Sequence, residues 1–265
     1  MPTFKLTIAY DGTDFVGWQR QANGVSVQSL VEAALTDLDG GAVAAAGAGR
    51  TDAGVHALGQ VASCSLRRAI DAASVRRALN ARLPPTIRVV AAEDAAPVFH
   101  ARFLARSKTY RYRLFTGEVL DPFERAYVWH VPGALDVDAM ARAARLVEGR
   151  HDFRAFQATG SETLTTERTV TASRVSVAGP DAAGEHVRGT GALIRYEITG
   201  NGFLRHMVRT IVGSLVEIGR GRRDEAWLAG VIASRDRTGA GPTAPAAGLF
   251  LVEVDYGADA LADEP

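Results

Sequence analysis

The chain has 265 residues, a formal net charge of zero, 47% apolar residues and 23% charged residues, a composition typical of a soluble globular protein. No charged segment followed by an apolar segment opens the chain, and no apolar run is long enough to span a bilayer, so we expect a cytoplasmic protein with no membrane partner. The single Cys64 excludes an intramolecular disulfide, and its apolar surroundings predict a small buried side chain rather than a metal ligand.

The first forty residues predict a strand, a loop and a helix. Apolar and polar residues alternate from residue 4 to residue 10, the period of a half-buried strand. The aromatic and amide-rich residues 15 to 21 follow neither a strand nor a helix period. They form either an RNA-contacting loop or a loop folded back onto the core through Trp18. Ser26 is the predicted N-cap of an amphipathic helix that ends at Gly40.

The strongest chemical signal lies in residues 47 to 60, a predicted loop with four glycines and the pair Arg50 and Asp52. The glycines permit left-handed turns and close approach to another molecule. A guanidinium beside a carboxylate keeps it ionised and fixes its direction, as a carboxylate nucleophile requires, so we expect Asp52 to be charged at neutral pH, with either Arg50 or Arg209 as its partner. The simpler interpretation is an Asx-turn closed by Asp52 with Arg50 as its surface partner. The glycine spacing fits neither a dinucleotide-binding fingerprint nor a P-loop.

The elements around this loop complete an α+β pattern. A strand over residues 60 to 66 follows the loop, and Asp71 caps a helix that Pro84 terminates before a strand over residues 87 to 92. The order strand–helix–strand–strand–helix–strand predicts a ferredoxin-like unit with a mostly antiparallel sheet. Asp52 then lies on an excursion between two core strands, which hold it in place.

Residues 100 to 113 contain five cations and no acid, and Tyr110 and Tyr112 would share one face of a strand. Cations interleaved with aromatic rings suit RNA, because the cations meet phosphates while the rings stack on exposed bases. The alternative is an ordinary strand with its tyrosines in the core and its arginines in solvent. We place a domain boundary near Ser107, just before this strand.

The second half of the chain again predicts helices and strands. Asp136 opens a helix, and we interpret the pair His151 and Asp152 after it as a capping and packing device rather than a catalytic one. Two strands, over residues 168 to 177 and 193 to 199, flank an exposed loop at residues 179 to 191.

A helix that starts near Asn201 would place Arg205 and Arg209 on one face, four residues apart. Cations near a helix N-terminus oppose its dipole, so a phosphate or a carboxylate such as Asp52 should compensate them. The remaining segments are a helix over residues 224 to 234, a loop over 238 to 247, a closing strand over 249 to 254 and a frayed acidic tail over 259 to 265.

Four segments together resemble the tRNA pseudouridine synthases of the TruA family. In chain order they are Tyr10-Asp11-Gly12-Thr13 with Gly17-Trp18-Gln19-Arg20-Gln21, then Gly49-Arg50-Thr51-Asp52-Ala53-Gly54-Val55-His56, then Tyr110-Arg111-Tyr112, then Asn201 and Phe203 with Met207-Val208-Arg209. The second segment is highly specific, and the others occur in the family's order and spacing. The resemblance covers nearly the whole chain and departs at Gly200, where the family more often has Ala.

The resemblance implies a pseudouridine synthase fold of two ferredoxin-like halves with the active site in the cleft between them. Domain 1–107 would carry the catalytic Asp52, and domain 108–265 would contribute the Tyr and Arg side of that cleft. Arg50 and Arg209 match arginines that hold the aspartate or assist entry of the base. Tyr110 matches the tyrosine that contacts the substrate.

The implied reaction is isomerisation of uridine to pseudouridine at positions 38 to 40 of the tRNA anticodon stem-loop, after the base is flipped out of its stack. The family uses no metal or organic cofactor and acts as a homodimer that binds tRNA across both subunits. Asp52 would attack either carbon 6 of the base or carbon 1 of the ribose, and sequence leaves both open. Further RNA contacts are expected from Arg20, Lys108, Arg111 and Arg205.

Two other functions use the same residues. A non-catalytic tRNA-binding protein or RNA chaperone would need the cations and aromatic rings but has no use for an anion such as Asp52 among them. A carboxylate-based glycosidase would need a second acid paired with Asp52, and residues 47 to 60 contain none.

Overall fold

The structure, a computed structural model, describes residues 1–161, 163–178 and 191–257. The described chain divides into two compact units, one formed by Met1–Lys108 with residues 250–257, the other by the described part of Thr109–Leu249. The closing strand therefore lies with the first unit, although it follows the second unit in sequence. The predicted acidic tail, and the predicted exposed loop apart from residue 191, lie outside the described residues.

The described residues form both strands and α-helices. In chain order they are β1 (Thr3–Tyr10), α1 (Val27–Asp39), β2 (Ala46–Gly47), β3 (His56–Ser65), α2 (Ala72–Arg82), β4 (Ile87–Ala95), β5 (Ser107–Phe115), β6 (Trp129–His130), α3 (Val137–Arg145), β7 (Gly149–Asp152), β8 (Glu167–Val177), β9 (Leu193–Gly200), α4 (Met207–Gly219), α5 (Glu225–Ser234) and β10 (Leu249–Asp255). No helix among the described residues is both long and apolar enough to cross a membrane.

In the first unit, the strand order β4-β1-β3-β2 is that of a ferredoxin-like sheet. All three of these pairings are antiparallel, and Leu6 of β1 lies opposite Ala62 of β3 and Ala92 of β4. Strand β10 adds a parallel pairing to β3, with Phe250 opposite His56. The alternating pattern of β1 sends its apolar side chains into the core, and the predicted α+β class with mostly antiparallel strands is confirmed.

Local capping sets the ends of the first two helices as the sequence predicts. The Ser26 side chain accepts a hydrogen bond from Ser29 N, and Gly40 ends α1 in the left-handed conformation at φ 74. Asp71 caps α2 by accepting from Ser74 N. Cys64 is buried as predicted, and burial raises the pKa of its thiol to about 12.

Strand β3 begins at His56, four residues before the predicted position, so residues 56 to 60 belong to the sheet rather than to the glycine-rich loop. The reason is pairing with distant strands: Ala57 lies opposite Tyr10 of β1 and Leu251 of β10. The loop that carries Asp52 is thereby reduced to residues 48 to 55, anchored by strands at both ends.

In the second unit, the strand order is β5-β9-β8-β7, with the short β6 parallel to β5. Strands β8 and β9 form an antiparallel hairpin, and β7 pairs antiparallel with β8. Thr109 of β5 contacts Thr199 of β9 and Arg111 contacts Glu197, so these two strands also run antiparallel. The predicted caps Asp136 and Asp224 open α3 and α5.

The predicted start of α4 near Asn201 is wrong, because the helix begins at Met207. His206 adopts a left-handed backbone conformation at φ 65, and Leu204 O accepts a hydrogen bond from Met207 N in a turn before the helix. Arg205 consequently lies outside α4 and shares no helical face with Arg209.

Candidate active site

The loop of residues 48 to 55 places three successive side chains in different surroundings. Arg50 is exposed, Thr51 is buried and Asp52 is half-buried. Among the described residues, the Arg50 guanidinium makes no hydrogen bond or ion pair, so Arg50, one of the two candidate partners of Asp52, does not form the pair. An exposed guanidinium gains little from such a pair, because hydration and side-chain freedom compete with it.

Buried polar side chains fix the chain just before Asp52. The Tyr10 hydroxyl lies 2.8 Å from Thr51 Oγ1, and Gln60 Nε2 donates to Gly49 O at 3.0 Å. Burial raises the pKa of Tyr10 to about 12, against the lowering effect of its side-chain hydrogen bonds with Thr51 and Gln60. Tyr10 is therefore neutral at physiological pH.

The loop of residues 15 to 21 supports Thr51 from a second direction. Trp18 is buried, stacks on Tyr10 with ring centroids 6.1 Å apart, and donates its backbone N–H to Thr51 O at 3.1 Å. Gly17 has φ 108, and a Cβ there would lie 2.4 Å from Thr51 O. This loop is thus folded back onto the core through Trp18, the second of the two sequence-based interpretations.

His56 fixes the other end of the Asp52 loop. It is buried, its Nδ1 accepts a hydrogen bond from Gly12 N at 3.0 Å and lies 3.2 Å from Asp11 Oδ1, and its ring stacks on Phe250. A Cβ at Gly12 would lie 2.0 Å from Val55 O, so this close approach requires glycine.

Sequence reasoning assigned no role to these buried polar groups. Tyr10 occupies the last inward position of the alternation in β1, and Gln60 occupies a buried position within β3. A polar side chain at an inward strand position needs a buried partner, and that signal could have identified both residues.

Two predicted RNA-contacting cations lie in the first unit. Lys108 packs over the loop, because a Cβ at Gly49 would lie 3.5 Å from Lys108 Nζ. Arg20 forms an ion pair with Glu32, and its side chain is 62% exposed. The structure therefore brings Lys108 to the segment that holds Arg50 and Asp52, and it gives Arg20 an acidic partner.

In the second unit, Tyr110 and Tyr112 are buried on one face of β5, as alternation predicts. Tyr110 is 7% exposed and makes an edge-to-face contact with Phe203, with ring centroids 5.1 Å apart. The Tyr112 hydroxyl donates to Pro245 O at 2.7 Å, and burial raises its pKa far above the usual range while Arg209 opposes this shift.

The arginines of β5 are paired with acids rather than simply solvated. Arg111 Nε donates to Glu197 at 2.9 Å. Arg113 is buried and donates to Glu124 at 3.0 Å. The interpretation of β5 as an ordinary strand, with its tyrosines in the core and its arginines in solvent, therefore fits the tyrosines but not the arginines.

Arg209 lies in the first turn of α4 and is half-buried. Its Nε donates to Ala244 O at 2.7 Å, while Ala244 N donates to Arg209 O at 3.1 Å, so the loop before β10 fixes the direction of this side chain. Arg205 is exposed ahead of the helix, and its backbone oxygen accepts from Ala158 N.

The His151–Asp152 pair behaves as a structural device. His151 Nε2 lies 2.8 Å from Glu148 O, and Asp152 Oδ1 accepts from Arg154 N at 3.1 Å. In the described part of the chain, no group of three His, Cys, Asp or Glu side chains could hold a metal ion.

Comparison with known proteins identifies close relatives of the whole chain. The sequence profile of the tRNA pseudouridine synthase family matches residues 6–103 and 143–257. A protein named tRNA pseudouridine synthase A from Moorella thermoacetica is 47% identical over 258 residues, covering 97% of this chain and 100% of that protein. Proteins of the same name from Myxococcus xanthus and Solidesulfovibrio magneticus are 44% and 46% identical, covering 97% and 100% of this chain and 92% and 95% of their own lengths.

Proposed function

The chain belongs to the tRNA pseudouridine synthase family, and from that premise we propose that it isomerises uridine at positions 38 to 40 of the tRNA anticodon stem-loop. As a member of this family it is an RNA isomerase that forms pseudouridine in tRNA. The observation that carries the finer proposal is the half-buried carboxylate of Asp52, on a loop whose backbone is fixed by Tyr10 and Trp18 and flanked by Lys108.

The proposed reaction exchanges one bond of the uracil for another. The bond from ribose carbon 1 to base nitrogen 1 breaks, a bond from the same carbon to base carbon 5 forms, and the proton on carbon 5 is lost while nitrogen 1 gains one. Asp52 provides the nucleophile, at carbon 6 of the base or carbon 1 of the ribose. The target base must leave its stack first, at a cost of a few kcal/mol.

We assign the proton removal at carbon 5 to Tyr110, directly or through water, because it presents a phenol on a ring held by Phe203. Arg209 would keep Asp52 ionised or assist entry of the base, and its attachment to Ala244 supports a fixed guanidinium. Arg50 would contact the RNA or the base, since it is exposed beside Asp52. We also propose that the protein acts as a homodimer and needs no cofactor.

Four further cations are proposed to bind tRNA phosphates. Lys108 has its ammonium group beside the Asp52 loop, and Arg205 has an exposed guanidinium. Arg20 and Arg111 are paired with Glu32 and Glu197, which orient them but reduce their net charge toward a phosphate.

Asp52→Asn tests the nucleophile, because it keeps the size of the side chain while removing its charge and nucleophilicity. We expect the variant to bind tRNA but to lose tritium release from tRNA labelled at carbon 5 of uridine. Asp37→Asn, on the exposed face of α1, is the matched control and should react normally. Normal tritium release by Asp52→Asn would show that the assignment is wrong.

Pseudouridine mapping of unmodified tRNA treated with the wild-type protein tests the target positions, which we expect to be 38 to 40. Modification elsewhere in the tRNA would contradict the proposed positions while leaving the reaction in place. Tight tRNA binding without any pseudouridine would favour the non-catalytic RNA-binding function instead.

A further inference from the structure

Two buried side-chain hydrogen bonds hold the residues just before Asp52. Tyr10 lies at the end of β1, Thr51 on the loop and Gln60 in β3, and all three side chains are buried. The Tyr10 hydroxyl bonds to Thr51 Oγ1, and Gln60 Nε2 donates to Gly49 O. These contacts join the loop to two neighbouring strands of the same sheet.

The same loop segment is held through its backbone. Thr51 O accepts from Trp18 N at 3.1 Å, and Asp52 O accepts from Val55 N at 3.1 Å. Thr51, the residue before Asp52, is therefore held through both its side chain and its carbonyl. Two residues earlier, the carbonyl of Gly49 is held by Gln60. Glycines alone would leave this segment mobile, and the buried attachments remove that freedom.

The Tyr10–Thr51 contact is suited to holding the loop because both residues are buried and their hydroxyls have little access to water. Both residues are buried, so each hydroxyl depends on protein partners for its hydrogen bonds. The raised pKa of Tyr10, caused by burial, keeps the phenol neutral and able to donate throughout the physiological range. A displacement of Thr51 would break the contact, and Asp52 would move with it.

We propose that Tyr10, Thr51 and Gln60 are positioning residues that hold the Asp52 carboxylate in the direction needed to attack the target uridine. The inference rests on the proposed role of Asp52. None of the three side chains is proposed to touch the substrate. Their contribution acts through the backbone of residues 49 to 52, so it should appear in turnover rather than in tRNA binding.

Tyr10→Phe and Thr51→Val each remove one hydroxyl of the contact while keeping the shape of the side chain. We expect kcat for tritium release to fall about 10- to 100-fold in either variant, with KM for tRNA nearly unchanged. Thr51→Ser keeps the hydroxyl and should retain most of the activity. The double variant should be no slower than the slower single variant, because both changes break the same contact.

Tyr256→Phe is the control for loss of a buried hydroxyl. Tyr256 is as buried as Tyr10, at 5% and 4% exposed, lies in the same unit, and donates to Ala101 O at 2.7 Å. We expect Tyr256→Phe to lower the thermal midpoint as Tyr10→Phe does while leaving kcat unchanged. All kcat measurements should be made well below the lowest thermal midpoint among the variants.

The outcomes separate this inference from the proposed function. Wild-type kcat in Tyr10→Phe and Thr51→Val, or an equal loss in Tyr256→Phe, would overturn the positioning role, while an inactive Asp52→Asn would still support the nucleophile. An active Asp52→Asn would refute the proposed function itself. If Tyr10→Phe does not fold, the comparison of Thr51→Val with Thr51→Ser decides the question alone.

Discussion

Glu32 is a carboxylate almost enclosed by the first unit, and its partners show why it tolerates that position. Its side chain is 10% exposed, and its Oε1 accepts from Ala45 N at 3.0 Å and from Gln28 Nε2 at 3.1 Å while Oε2 pairs with Arg20. A carboxylate held away from water is stable only when its oxygens are satisfied in this way. The pair therefore orients Arg20 at the surface.

Glu32→Ala should destabilise the protein by about 2–3 kcal/mol, because Ala45 N, Gln28 and Arg20 lose their acceptor together. Glu93→Ala is the matched control, since Glu93 forms a 3.1 Å pair with Lys5 in the same unit but is 43% exposed. That control should cost less than about 1 kcal/mol. Urea unfolding measures both, and equal losses would contradict the buried role of Glu32.

At the scale of single residues, the sequence identifies candidate groups but not the directions in which they point. It leaves open whether Arg50 or Arg209 pairs with Asp52, and Arg50 is exposed without that partner. It predicts that Arg111 contacts RNA, but it does not predict that Glu197, far along the chain, pairs with it. Such pairs depend on which strands become neighbours, and no local pattern contains that information.

At the scale of elements, the turn at Gly17 is constrained by the loop that it supports. Gly17 combines φ 108 with a Cβ position only 2.4 Å from Thr51 O. An alanine would require both a left-handed backbone and displacement of the Thr51 carbonyl. The left-handed conformation and the clash each lower the stability of the variant. A glycine of the same unit that has only the left-handed conformation separates the two effects.

Gly17→Ala should cost at least about 2 kcal/mol of unfolding free energy, from backbone strain and the clash together. Gly40→Ala should cost only about 1 kcal/mol, because Gly40 has φ 74 but no atom within 4 Å of its Cβ position. Thermal and urea denaturation of the two variants supply the comparison. If Gly17→Ala lowers the unfolding free energy no more than Gly40→Ala does, the Thr51 loop moves aside without a measurable loss of stability.

Element ends could be predicted where they depend on neighbouring residues and not where they depend on distant ones. Ser26 and Asp71 are recognisable caps because each bonds to a backbone N–H three residues ahead. The start of β3 at His56 depends on pairing with β1 and β10, and the start of α4 depends on the left-handed conformation of His206. Neither of the last two has a local signal.

At the scale of the whole molecule, the 30 cations and 30 acids balance, yet the family acts on a polyanion. Net charge hides the distribution that governs association. Several cations near the predicted RNA-binding segments are partly neutralised by acids, as in the pairs Arg20–Glu32, Arg111–Glu197 and Arg113–Glu124. Because local cations rather than net charge contact the phosphates, we expect the affinity for tRNA to fall steeply as salt rises.

The order of elements predicts the ferredoxin-like arrangement of the first unit, because that arrangement follows from a strand and helix pattern contained in residues 1 to 107. The membership of β10 could not be predicted, since it pairs with β3 from the far end of the chain. A boundary near Ser107 divides the sequence at one point, whereas the first unit contains two separate segments.

Lys108→Met tests the proposed phosphate contacts, because Lys108 lies over Gly49 and carries a compact charge. If it neutralises one phosphate, the slope of log K against log salt should become shallower by about 0.9 between about 50 and 200 mM salt. Filter binding of tRNA gives that slope. Arg150→Met should leave it unchanged, because Arg150 pairs with Glu167 at 3.1 Å and both are exposed. An equal change of slope in both variants would show that Lys108 acts only through total charge.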